Sequence, residues 1–132
     1  MAANRRHAMK LLLEQNPGLE LVSAQGPGYV EINGRRYETS LVILPDRVLD
    51  DWCVEDFASL AAADCARLAE LGAAITLIGT GARQRFPSPA LLRGLIEAGR
   101  GFEIMDTAAA CRTYNILASE GRNVCAALLV ER

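Results

Sequence analysis

The chain is short of the residues that most often carry catalysis. Among 132 positions there is one histidine, His7, and one tryptophan, Trp52, and aromatic residues make up only 5%. With its single histidine near the terminus, the sequence offers no Cys–His or Ser–His pair and no histidine-based zinc site. Cys53, Cys65, Cys111 and Cys125 lie far apart without any CxxC spacing. Their small apolar neighbours predict reduced, buried thiols rather than a disulfide or metal frame. Positive charge is not in excess either: 14 Lys and Arg stand against 16 Asp and Glu, a formal charge of −2 and a pI near 5.4. A nucleic-acid binder would carry a basic stripe, so nucleic acid is not an expected partner. No apolar run approaches the ~18 residues needed to cross a bilayer, so an integral membrane protein is not expected.

What the chain does have is apolar bulk without rings. Hydrophobic residues make up 51% of it, largely Ala, Leu, Ile and Val. A chain of this length forms one domain, here residues 1–132, and removes roughly two-thirds of its unfolded surface from water. The N-terminus carries Arg5, Arg6 and Lys10 before any acid, as transit peptides do. The simpler expectation is a surface helix at about residues 4–15, with Met9, Leu12 and Leu13 on its apolar side. The expected compartment is therefore the cytoplasm, or the mitochondrion in a eukaryotic source.

Asn16-Pro17-Gly18 ends that helix, and residues 19–24 read as a strand. Residues 28–44 read as a hairpin, because Asn33-Gly34 supplies the two positive-φ residues of a type I′ turn. Its second arm, residues 36–44, ends in an unbroken apolar run and stops at Pro45. Trp52 follows in a polar loop and has two readings, a partner-binding anchor or a lid folded back over the core. A helix is expected from Val54 to Gly72, with Phe57, Leu60, Cys65, Leu68 and Leu71 at helical spacing. Residues 74–130 then alternate strand, helix, strand, helix, strand, the pattern of parallel pairing with right-handed crossovers. The predicted fold is a single three-layer α/β domain with a mixed, partly parallel central sheet and an N-terminal β-hairpin.

In such a sheet, ligands bind outside the carboxyl ends of the strands. Two ends are legible, Gly79-Thr80-Gly81 and Met105-Asp106-Thr107. If they share one rim, Arg83 and Arg85 from the first loop, with Arg112 and Asn115 from the helix after the second, would frame a small anion-binding crevice. Each piece also has a structural reading. Gly79 and Gly81 suit a tight turn and lack the rest of a dinucleotide or P-loop fingerprint, so no cofactor is expected. Asp106 suits a helix N-cap. Arg112 and Asn115 suit a network that locks the strand ends to the helix, with Asp106, Glu103 or Glu120 as carboxylate partners of a half-buried Arg112. Cys111 has no histidine to activate it. No residue is assigned a catalytic or metal-binding role.

The string MDTAAACRTYNILASEGRNVCAAL, the upstream LIGTG, and NGRRYETSLVILP followed by Trp52 resemble a family. It is the family of small uncharacterised α/β domains that includes the mitochondrial respiratory complex I assembly factor 3, and the likeness runs from about Ile32 to Val130. The resemblance implies a non-catalytic interaction protein whose partners are proteins, among them respiratory-complex or membrane-peripheral subunits. It carries over no catalytic residue. The alternative is a small anion-binding protein or enzyme using the crevice. Self-association through the hairpin edge is compatible with either.

Overall fold

The computed structural model describes residues 17–131; the expected N-terminal helix lies outside them. Three strands come first, β1 (Val22–Gly26), β2 (Tyr29–Ile32) and β3 (Arg35–Tyr37), paired antiparallel in that order. Pro27-Gly28 turns β1 into β2, and Asn33-Gly34 turns β2 into β3 with φ of 49° and 87°. These are the positive values that the type I′ reading requires.

The chain then changes layer. The stretch expected as one hairpin arm, residues 36–44, is split: β3 stays in the small sheet, and β4 (Leu41–Leu44) enters a second sheet. The reason is burial. All four residues of β4 are buried, whereas β3 is largely exposed, and a continuous apolar run is stable only with cover on both faces. Residues 38–40 make the step, and the Ser40 hydroxyl accepts the Val130 N–H at 2.9 Å where the ladder would otherwise lapse. A second departure follows at once. Pro45 and Asp46 form a tight turn into β5 (Arg47–Leu49), a strand where a loop was expected.

The 54–72 helix is also shorter than its spacing suggested. Residues Phe57–Ser59 form a single 3-10 turn, and the α-helix α1 runs only over Ala62–Glu70. Asp56 accepts from Ser59 N at 2.9 Å and from its hydroxyl at 2.7 Å, closing the first turn on itself. Asp64 then accepts from Ala61 N at 2.8 Å and starts the helix afresh. The rest follows the expected rhythm: β6 (Ile75–Gly79), α2 (Pro89–Ala98), β7 (Gly101–Met105), α3 (Thr107–Ser119) and β8 (Val124–Leu128).

The five-stranded sheet has the order β5-β4-β8-β6-β7, with β6 parallel to β7 and β8, and β4 antiparallel to its neighbours β5 and β8. Its side chains alternate between two cores. Leu41, Ile43, Leu77, Ala126 and Leu128 join α3 and the small sheet on one face. Val42, Leu44, Ile78, Cys125 and Ala127 join Trp52, α1 and α2 on the other. The expected three-layer α/β architecture is present, with the small sheet sharing one outer layer with α3.

Candidate functional site at the strand ends

Because β6, β7 and β8 are parallel, their carboxyl ends share one rim: Gly79 is opposite Met105 on one side and Leu128 on the other. From β6 the chain passes through α2 to β7, then reverses through α3 across β6 to β8. Equal handedness with opposite directions of travel puts the two helices on opposite faces. The loops therefore diverge between Gly79-Thr80-Gly81 and Met105-Asp106-Thr107, where an open α/β sheet has its crevice.

Here the two bends are hydrogen-bonded to each other. Thr80 N donates to Met105 O at 2.8 Å, and Thr107 N donates to Gly81 O at 2.9 Å. The Thr107 hydroxyl accepts from Gly81 N at 2.8 Å and donates to Leu129 O at 2.8 Å, so one buried side chain joins three strand ends. A Cβ on Gly79 would sit 2.9 Å from the Thr107 Cα, so only glycine lets α3 cross this closely. Asp106 caps α3, accepting from Ala109 N at 2.8 Å. The fully buried Thr80 hydroxyl donates to Arg83 O at 2.8 Å and accepts from Arg85 N at 3.0 Å, fixing the loop that follows.

The structure thus brings Gly79, Thr80, Gly81, Asp106 and Thr107 together and keeps the rest of the expected crevice apart. Arg83 is exposed. Arg112 is exposed as well and makes no ion pair among the described residues, correcting the half-buried arginine expected from the sequence. Asn115, three residues on, points into the core. Its side-chain oxygen accepts from Val22 N at 2.9 Å and its amide donates to Val22 O at 2.8 Å. Tyr114 hydroxyl donates to Glu20 O at 2.8 Å. Asn115 therefore does for the outer edge of β1 what a neighbouring strand would do, at the bulge where pairing slips between Val22 and Ala24. The sequence pattern implied that Arg112 and Asn115 worked together; the helix face divides them.

Trp52 is 1% exposed and packs with Val54, Leu60, Cys65 and Leu68. The indole is folded back into the core, the placement the lid reading describes. The thiols divide in a way their neighbours did not predict: Cys53 is exposed, and Cys65, Cys111 and Cys125 are buried. Burial pushes the Cys111 thiol up to about 12 and the Cys65 thiol up to about 11. A thiol-reactive dye at mildly alkaline pH should therefore label Cys53 in the folded chain and reach the other three only after unfolding. Peptide mapping checks this, and rapid labelling of Cys111 in the native state would contradict the packing of α3.

Of the residues that build the outer rim, only Arg85 stood out in the sequence, and no spacing linked it to Glu131 or Phe57. The Glu131 carboxylate forms an ion pair with Arg85 and accepts from Phe57 N at 2.8 Å, while the Arg85 guanidinium lies 4.7 Å above the Phe57 ring. These residues are far apart in the chain, and only the folded sheet brings them together. Val130 and Glu131 line both of two grooves on the rim. One, about 560 Å³, runs between the Pro27-Gly28 turn and the start of α3; the other, about 720 Å³, lies toward residues 50–56. Among the described residues, no helix is long and apolar enough to cross a membrane.

Residues 22–129 match a family described as "Protein of unknown function (DUF498/DUF598)". The chain belongs to this family. The DUF498 match begins with β1 and ends just past β8, so it takes in the small sheet as well as the βαβαβ part, further toward the N-terminus than the sequence likeness reached. A bovine relative, named NADH dehydrogenase [ubiquinone] 1 alpha subcomplex assembly factor 3, is 30% identical over 128 residues, covering 95% of this chain and 68% of its own length. A crystal structure of a Bordetella parapertussis protein is 40% identical, with a TM-score of 0.79 over 86% of this chain and 97% of that one. A solution structure of a Bordetella pertussis protein, described as an Mth938-like domain, is 34% identical with a TM-score of 0.75, covering 86% of this chain and 87% of the other. Within the DUF498 chain, Thr107, Tyr114 and Asn115 of the stretch that carried the resemblance serve as packing and hydrogen-bonding residues.

Proposed function

We propose that this DUF498 protein is a non-catalytic interaction protein that assists assembly of a respiratory NADH dehydrogenase complex, holding a partner subunit at the rim formed by the ends of β6, β7 and β8. The observation that carries this reading is the similarity to an assembly factor across 95% of the chain. The geometry is in keeping with it. The bends that would cradle a small ligand are bonded to each other, the most deeply buried thiols are protonated, and two open grooves lie on the outer rim. The partners fitting this role are respiratory-complex or membrane-peripheral subunits.

Deleting the gene in its native host and resolving the respiratory complexes on native gels tests the role. Assembled NADH dehydrogenase should fall and be restored by the wild-type chain, and a tagged chain at native expression should co-purify with its subunits. Unchanged complex levels, with the tagged chain recovered alone, would remove the proposal.

A further inference from the structure

We propose that the larger rim groove holds an extended segment of the partner rich in lysine or arginine. This rests on the interaction-protein reading and names the chemistry of what is held. The groove, about 720 Å³, has Trp52, Val54 and Val130 among its apolar lining. Its carboxylates are Glu38, Asp50, Glu55, Asp56 and Glu131, and among the described residues no Lys, Arg or His lines it. In a chain with 14 basic residues against 16 acidic ones, a groove with five carboxylates and no cation in its described lining is a segregation of charge.

Some of that charge is answered nearby. Glu131 pairs with Arg85, Asp56 accepts from Ser59, and Glu38 lies 3.4 Å from Arg36 across an exposed pair. Asp50 and Glu55 are exposed and form no ion pair among the described residues. Negative charge along a concave wall raises the local concentration of cationic partners. An apolar floor beneath it suits lysine and arginine in particular, whose methylene stems cover apolar surface while the charged head stays at the rim. The carboxylates are also too dispersed for a compact ion: no group of three His, Cys, Asp or Glu among the described residues could hold a metal. Spaced anions over an apolar floor match spaced cations on an extended chain, whose same-face side chains recur every second residue.

The test titrates the full chain with a short fluorescein-labelled peptide of alternating lysine and alanine, read by anisotropy. Binding should raise the anisotropy and weaken about tenfold between low salt and ~500 mM salt. The paired substitution Asp50→Asn and Glu55→Gln, both at exposed positions where the fold does not depend on them, should weaken binding roughly fivefold. Glu97→Gln, at an exposed position on α2 outside the groove, should leave it unchanged. No binding, binding indifferent to the Asp50 and Glu55 substitutions, or equal binding of a glutamate–alanine peptide would each overturn the proposal. Those outcomes would leave the deletion and co-purification results as they stand, so the two readings fail separately.

Discussion

Replacing Asn115 with leucine should destabilise the chain by about 2–4 kcal/mol, because it leaves both the N–H and the C=O of Val22 buried without partners. Asn115 is 2% exposed, and its amide makes both hydrogen bonds. Leucine is close in size, so the loss comes from unmet polarity more than from a cavity. In urea, the unfolding midpoint should fall by about 1–2 M with little change in slope. Arg112→Ala, three residues away on the exposed face, should move it by no more than about 0.5 kcal/mol. If the two variants were equally stable, or if Arg112→Ala were the more damaging, α3 would not be fastened to β1 in the way the structure has it.

The second large effect belongs to Trp52. Its truncation to alanine should cost about 3–5 kcal/mol, the range for removing a large buried aromatic side chain. Trp52→Phe keeps most of the apolar contact and gives up one long hydrogen bond, from the indole N–H to Asp64 O at 3.4 Å, so it should remain folded. The pair separates core from anchor. Trp52→Phe should be somewhat less stable yet capture the partner as well as the wild type once folded. Normal stability with lost capture would make the indole a contact after all.

How much of this was legible in the sequence varies by element. The β2–β3 turn was readable because Asn33-Gly34 is a local chemical signal, and β6, α2, β7, α3 and β8 because their periods change at glycines and caps. β3 and β4 looked like one strand, since residues 38–40 contain no glycine or proline to mark a change of layer. β5 is three residues long, too short for a pattern to stand out from a loop. For the site, the adjacency of the two bends could be inferred from the order of strand and helix. The bonding between them could not, because it depends on one Thr107 hydroxyl reaching Gly81 and Leu129 together.

By itself, then, the sequence determined the layered α/β plan and the shared rim. Hydrophobic period, turn residues and helix caps act over a few residues, and right-handed crossover connections then leave few arrangements open. Only the tertiary structure decided that Trp52 faces inward, that Asn115 and Arg112 part company, and that Glu131 meets Arg85 and Phe57. Those outcomes depend on which distant segments come to lie within hydrogen-bonding or van der Waals reach, a distance that neither composition nor spacing along the chain encodes.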